Sequence, residues 1–145
     1  MSSHHHRILL TQHARLRVLV SAMKRAAAAV LARGEPLSPA AAHLFDRSIE
    51  ALAAEMSAHL VTEETLLRPA LLRSPSGQQR LEHLQVEHDR ERAYFDELLP
   101  RHGKAPPEDQ ARYAIRLAEE LAEHLEAEER DLYPAAFADA EASTK

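Results

Sequence analysis

The chain has no cysteine and little glycine or aromatic content. Its 145 residues include no cysteine, 3 glycines and 4% aromatic residues. The lack of cysteine excludes a disulfide framework, a thiolate metal site and a cysteine nucleophile. A sequence poor in glycine and aromatic residues but rich in Ala, Leu, Glu and Arg favours helix over strand. We therefore predict an all-α protein.

An excess of basic residues and a long apolar run are also missing. The 18 Lys and Arg residues are outnumbered by 23 Asp and Glu, for a net charge of −5, whereas a nucleic-acid-binding surface needs clustered basic residues. The longest apolar run near the start, Ile8 to Leu10, is too short for a signal peptide or a membrane span. We expect one soluble, cytoplasmic domain with neither nucleic acid nor membrane as a partner.

Glycine and proline divide the sequence into four segments. Gly34, Gly77 and Gly103 each lie near prolines, and such clusters end helices and form turns. The segments between them are roughly residues 7–33, 40–73, 78–99 and 107–138. Because the breaks are short, we predict an antiparallel up-down-up-down four-helix bundle over residues 7–138, with a flexible N-terminal tail (1–6) and a C-terminal tail (139–145).

The second and fourth segments repeat one another. Residues 52–70 align without gaps on residues 117–135, so that the pair His59 and Glu63 matches the pair His124 and Glu128. Each glutamate of these pairs is followed six residues later by a proline. The first and third segments share a weaker echo around His13 and His88. The chain therefore consists of two related helical hairpins, and we expect a site begun by one hairpin to be completed by the other.

Both His/Glu pairs lie on apolar helical stripes, because residues four apart in an α-helix share a face. The stripe of the second segment is Leu52, Met56, His59, Glu63 and Leu67. The stripe of the fourth is Leu117, Leu121, His124, Glu128 and Leu132. In the other two segments, His13 shares a stripe with Leu9, Leu16 and Val20, and His88 with Leu81, Leu84 and Phe95. Four imidazoles and two carboxylates are thus predicted to converge on the bundle axis.

Such a buried cluster needs compensation, and metal ions supply it. Imidazole and carboxylate ligands suit iron, manganese or zinc, and four-helix bundles hold such sites between facing helices. A lone histidine on an apolar stripe is more often a hydrogen-bonded core residue, and a single His-x-x-x-Glu pair is weak evidence. Two copies at matching core positions favour a metal site. The predicted ligands are His13, His59, Glu63, His88, His124 and Glu128.

Several neighbouring residues receive other predictions. Glu64 and Glu129 are expected to point off the ligand face, either into solvent or towards the ligands from outside. His83 lies on a charged face and is predicted to be exposed, as are His43 and His102 near helix ends. The sequence leaves open whether Glu91, three residues after His88, or His83 adds a ligand.

The pattern of His13, His59-x-x-x-Glu63-Glu64, Glu87-His88 and His124-x-x-x-Glu128-Glu129 followed by Leu132-Tyr133-Pro134 resembles the hemerythrin-like (HHE cation-binding) domain over about residues 7–138. The resemblance implies a four-helix bundle that holds two iron ions bridged by two carboxylates and an oxo or hydroxo group. It also implies that Glu63 and Glu128 are the bridges. One iron would then be held by His13 and His59, and the other by His88 and His124.

The sequence departs from the oxygen-carrying hemerythrins on the third and fourth helices. Those proteins have two histidines four apart on the third helix, whereas Leu84 stands four residues before His88 here. The carboxylate Glu128 follows His124 by four residues rather than five. Each metal would therefore have two histidine ligands, in a more symmetric and more open site. That arrangement favours reaction with a small molecule over reversible oxygen carriage.

We accordingly expect a non-haem di-iron protein that binds, senses or reacts with oxygen, peroxide or nitric oxide. One alternative is a di-iron oxidase or peroxidase-like enzyme, which sustained turnover with a reductant would identify. Another is a helical regulatory module with a structural metal such as zinc. The sequence leaves open the loaded metal, catalytic turnover, and the choice between a homodimer and a separate signalling partner.

Overall fold

The structure, a computed structural model, describes residues 2–33, 38–73, 75–99 and 106–142. All secondary structure in these ranges is helical. The helices are α1 (Ser2–Arg33), α2 (Pro39–Leu71), α3 (Pro75–Leu98), α4 (Pro107–Ala127) and α5 (Tyr133–Ala142), and a π-helical turn (Glu128–Leu132) joins the last two into one rod. α1 packs against α2 and α4, and α3 packs against α2 and, less closely, α4. These four contacts close a four-helix bundle, which confirms the predicted fold class.

Proline and serine set the helix starts. The Ser38 hydroxyl accepts a hydrogen bond from the Ala41 amide at 3.1 Å, which satisfies one free donor of the first turn of α2. Pro39 and Pro107 are the first residues of α2 and α4, where the missing N–H of proline costs nothing. Both starts agree with the sequence pattern, but α3 begins at Pro75, so Gly77 lies inside a helix and not in the predicted break before residue 78. The breaks around Gly34 and Gly103, and His102, lie outside the described residues.

The two predicted tails are shorter than expected. α1 begins at Ser2 and α5 continues to Ala142, so residues 2–6 and 139–142 are helical rather than tail. At the N-terminal end the reason is a contact that sequence spacing does not reveal. The His6 ring stacks on Phe137 with a centroid distance of 5.0 Å and meets the Tyr133 ring edge-on at 5.7 Å. This packing ties the first turns of α1 to α5.

The apolar core consists of two clusters separated along the bundle. The larger one extends from Leu16 through Val30 on α1 and includes Phe45, Met56, Phe95, Leu117 and Leu125 on the other helices. The smaller one comprises Leu9, Leu67, Leu71, Leu81, Leu84, Tyr133, Ala136 and Phe137. The predicted ligand residues lie between the two clusters, in a buried polar layer. Within the described ranges, no helix has the length and apolar character needed to cross a membrane.

The π-helical turn shifts the register of the sequence repeat. The Tyr133 amide donates to the Glu128 carbonyl, five residues back, so one extra residue is accommodated in the turn. Beyond it, Tyr133 is buried while Arg68, its match in the gapless alignment, is exposed. Tyr133 instead takes the core position that Leu67 holds in α2. Leu132, which was predicted to lie on the core stripe, is only partly buried and packs against the edge of the smaller apolar cluster.

Candidate metal centre

All six predicted ligand side chains come together between the two apolar clusters. They form two overlapping groups, one of His13, His59, Glu63 and Glu128 and the other of Glu63, His88, His124 and Glu128. Within each group, one nitrogen or oxygen atom per residue lies within 4.8 Å of the others. His124 is 13% exposed, and the other five are essentially buried. Helical spacing therefore predicted the convergence of the six side chains, and their role as metal ligands stays a prediction.

The two carboxylates each face both histidine pairs. Glu63 Oε1 lies 2.8 Å from His88 Nε2, and its Oε2 lies 3.1 Å from His59 Nε2. Glu128 Oε1 lies 3.2 Å from His13 Nε2, and its Oε2 lies 3.1 Å from His124 Nε2. Each carboxylate thus presents one oxygen to a histidine of either pair. This is the arrangement that a carboxylate bridging two cations requires.

Glu64 and Glu129 contact ligand histidines from outside the cluster. Glu64 Oε1 lies 2.9 Å from His88 Nδ1 and also accepts from the Arg92 guanidinium at 2.8 Å. The equivalent Glu129 lies 3.7 Å from His13 Nδ1 and is bonded to the guanidinium of Arg17, one turn after that histidine. Of the two placements predicted for these glutamates, the structure supports contact with the ligands. The Glu64–His88 contact is a hydrogen bond of the kind that fixes the orientation and tautomer of a metal-binding imidazole, whereas Glu129 is too far from His13 Nδ1 to form one.

The remaining two histidines have outer partners from the residues that precede His13 and His88. Gln12 Oε1 lies 2.7 Å from His59 Nδ1, and Glu87 Oε2 lies 2.8 Å from His124 Nδ1. With Nδ1 held from outside, Nε2 of each ring is left for the cluster. Sequence reasoning missed both partners, although their position one residue before a ligand histidine in each half was a usable signal.

Tyr133 is a site residue that sequence reasoning did not single out. Its hydroxyl lies 2.7 Å from His13 Nε2 and donates a hydrogen bond to Glu63 Oε2, and its side chain is fully buried. It reaches the site only because the π-helical turn rotates it inward. Strict spacing places it one residue past the ligand face, so periodicity alone could not have found it.

Glu91 joins the cluster from α3 on the side of His124. It is 5% exposed, and its Oε1 lies 3.2 Å from His124 Nε2. With Glu87 and His124 it forms a third group whose ligand atoms lie within 4.8 Å of one another. Glu91 therefore lies within reach of the cluster, and whether it adds a ligand is a question that the sequence left open. His83, by contrast, is 76% exposed and pairs with Glu87 at 3.4 Å, as predicted; His43 is exposed as well.

A cavity of about 650 Å³ between α3 and α4 leads from the surface to this side of the site. Its inner wall includes Glu91, His124 and Glu128, while its outer wall carries Arg80, Glu120, Glu123 and Asp131 among others. Neither His13, His59 nor Glu63 lines it. The cluster is therefore accessible from the His124 side, where α3 and α4 pack least closely.

The buried charges perturb one another strongly. Burial alone would lower the pKa of His13, but the nearby carboxylates of Glu128 and Glu63 raise it to about 9. Burial raises the pKa of Glu128 well above its usual range, and the charge of Glu63 raises it further. Burial raises the pKa of Glu91 to about 7 in spite of the nearby histidines. In the absence of a metal ion, His13, Glu91 and Glu128 therefore hold protons more tightly than they would in water.

The donor set fits divalent metal ions. Among the described residues, the buried Nε2 atoms of His59 and His124 and both oxygens of Glu128 have no hydrogen-bond partner. Unsatisfied buried polar atoms are costly and need an explanation. All four atoms face the cluster, where a cation would satisfy them. Imidazole nitrogen and carboxylate oxygen are ligands that suit iron, manganese and zinc.

Comparison with known proteins assigns the family. The sequence model of the hemerythrin HHE cation binding domain matches residues 4–136, a range that includes every residue of the cluster. No curated protein and no solved structure gave a match. Because the family match covers most of the chain and the His/Glu cluster lies inside it, the chain belongs to the hemerythrin HHE cation-binding domain family.

Proposed function

We propose that this protein is a non-haem di-iron protein that binds, senses or reacts with oxygen, peroxide or nitric oxide. The observation that carries the proposal is the sharing of Glu63 and Glu128 between two histidine pairs. One pair alone would suit a single ion. Two pairs that face the same two carboxylates suit two ions at close range. The sites would be His13 and His59 with the shared carboxylates, and His88 and His124 with the same carboxylates.

The chain's own residues prepare the site for small-molecule chemistry. Two bound iron(II) ions would together supply two electrons to a small oxidant. Hydrogen bonds at Nδ1 orient the imidazoles of His59, His88 and His124 so that their Nε2 atoms face the cluster. The two apolar clusters keep bulk water from the ends of the polar layer. The cavity between α3 and α4 supplies one path for a small molecule.

The test is metal analysis of untreated protein together with its absorption spectrum. We expect two irons per chain, and a spectrum that changes when the anaerobically reduced protein meets oxygen. A Glu63→Ala/Glu128→Ala double variant is the matched blank, since it keeps the N-terminal histidines His4, His5 and His6 that could retain metal nonspecifically. One zinc per chain, or iron content equal to that of the blank, would contradict the proposal.

A catalytic version of this function is favoured by the size of the cavity. At about 650 Å³ it exceeds what a diatomic molecule needs, so it also admits an organic co-substrate or reductant. Sustained consumption of oxygen or peroxide in the presence of a reductant would identify a di-iron oxidase or peroxidase-like enzyme. A single stoichiometric reaction would identify a sensor or binding protein. A His59→Ala/His124→Ala variant that loses both its metal and its fold would instead indicate a structural metal.

A further inference from the structure

The two halves of the bundle place different residues next to their histidine pairs. Glu91 lies 75 positions after Leu16 in the chain, and the same offset relates His88 to His13 and Arg92 to Arg17. Leu16 is 1% exposed and belongs to the larger apolar cluster. Glu91 is almost equally buried, at 5% exposed. The half that contains α3 therefore buries an additional carboxylate where the other half buries a leucine.

The contacts of Glu91 point towards a cation. Its Oε1 lies 3.2 Å from His124 Nε2, the ring nitrogen that faces the cluster. Its Oε2 is buried and, within the part of the chain that the structure describes, has no hydrogen-bond partner. Although Arg92 is the next residue, its guanidinium is bonded to Glu64 rather than to Glu91. A buried carboxylate oxygen without a hydrogen-bond partner destabilises the folded protein unless a cation binds it.

The position of Glu91 also relates it to the route of access. It lines the inner end of the cavity between α3 and α4, beside His124 and Glu128. A small anion that enters by this cavity therefore reaches the cluster beside Glu91, His124 and Glu128.

We propose that Glu91 is a seventh protein ligand, which binds the metal held by His88 and His124 and occupies its cavity-facing side. The proposal rests on the proposed two-metal function. It makes the two metal positions unequal: the His13 and His59 position has no such ligand, because Leu16 stands at the equivalent place. An external anion that arrives through the cavity then competes with the Glu91 carboxylate for one metal.

The experiment measures iron content and azide affinity of the ferric protein. Azide is a suitable probe because it is a small anion whose coordination to iron(III) produces a charge-transfer absorption. Glu91→Gln keeps the shape of the side chain and removes its charge. Glu91→Leu copies the residue of the other half and serves as the second variant. Glu123→Gln, an exposed residue of the same cavity, is the control for charge alone.

We expect Glu91→Gln and Glu91→Leu to keep wild-type helical content by circular dichroism. With two irons retained, their azide dissociation constants should fall at least about tenfold, because the competing carboxylate is gone. A fall to one iron per chain would support the assignment equally, since one position has then lost a ligand. Glu123→Gln should match the wild type within about twofold.

Three outcomes would overturn the assignment. The first is iron content and azide affinity equal to those of the wild type in both Glu91 variants. The second is an equal change in Glu123→Gln, which would indicate a general charge effect in the cavity. The third is loss of both irons in folded variants, which would place Glu91 in support of the whole cluster. Failure of the two-iron function itself would appear separately, as a wild-type protein without two irons.

Discussion

Gln12 and Glu87 contact the Nδ1 atoms of equivalent histidines in the two halves of the bundle, but only Glu87 carries a charge. Gln12 Oε1 lies 2.7 Å from His59 Nδ1, and Glu87 Oε2 lies 2.8 Å from His124 Nδ1. A carboxylate partner makes an imidazole a more basic ligand than an amide partner does. The two histidines therefore differ in donor strength even though the sequence motifs around them are nearly identical.

Removal of Glu87 should weaken metal binding at the His124 position. We expect Glu87→Ala to lower metal affinity about 10- to 100-fold, the range found when an outer hydrogen-bond partner of a ligand is lost. Glu87→Gln should cost less, because an amide oxygen can still accept from Nδ1–H as Gln12 does. Competition with a chromophoric chelator would measure both affinities. If Glu87→Gln proves as damaging as Glu87→Ala, the charge of Glu87 matters and its hydrogen bond does not.

Loss of either shared carboxylate should empty the whole centre. Because Glu63 and Glu128 each face both histidine pairs, Glu63→Ala or Glu128→Ala should reduce metal content from two ions per chain to nearly none. His83→Ala, at an exposed position, should keep both ions. Metal analysis after dialysis against a weak chelator is the measurement. Retention of one full ion in either glutamate variant would show that the carboxylates are not shared.

Glu64→Ala should weaken metal binding less than loss of a shared carboxylate does and more than His83→Ala does. Glu64 touches no atom of the cluster centre, but it accepts from Arg92 and lies 2.9 Å from His88 Nδ1. We expect metal affinity to fall about 10- to 100-fold at one position only. Asp96→Ala, on an exposed face of α3, is the control. An affinity indistinguishable from that of Asp96→Ala would mean that Glu64 serves only its surface pair with Arg92.

Helical periodicity was sufficient to predict the bundle and the six converging side chains. His59 and Glu63 share one face of α2 whatever the details of packing, and an apolar stripe fixes which face is buried. The misplacement of Leu132 and Tyr133 has one cause, a local change of register. Tyr133 enters the site through the π-helical turn that begins at Glu128, and no pattern with a fixed period anticipates such a turn. Glu91 shows a second limit of sequence-based prediction, because the reach of its side chain decides whether it contacts the site, and helical spacing does not determine that reach.

The metal-free protein should lose stability as the pH rises from 6.5 to 9. The pKa of His13 is about 9 in the folded chain against 6.5 in the unfolded chain, so its contribution to folding is complete below pH 6.5 and is lost as the pH rises through 9. The pKa of Glu91 is raised from 4.5 to about 7, so its contribution to stability is likewise lost as the pH rises, over that lower range. Thermal unfolding of metal-free protein should therefore show a lower Tm at pH 9 than at pH 6.5.

Metal binding should reverse this pH dependence. An imidazole nitrogen that binds a metal ion cannot also hold a proton, so metal affinity rises with pH and binding releases protons. We expect the gain in Tm on metal addition to be larger at pH 9 than at pH 6.5. A gain that is equal at the two pH values, or a metal-free Tm that rises with pH, would show that His13 is not protonated in the empty cluster.

The close approach of α2 and α3 requires glycine at position 77. A Cβ atom at Gly77 would lie 1.8 Å from the Leu71 carbonyl oxygen, a backbone atom at the end of α2. Backbone atoms cannot move aside as a flexible side chain can, so Gly77→Ala must displace the start of α3. We expect a loss of about 1–3 kcal/mol in the free energy of unfolding, measured by denaturant titration. Because α3 carries His88 and Glu91, metal affinity should fall as well.

Gln78→Ala, at the exposed neighbouring position, should change stability by less than about 0.5 kcal/mol. Equal stability of Gly77→Ala and Gln78→Ala would mean that the turn between α2 and α3 accommodates the methyl group, and that the position of α3 does not depend on this contact.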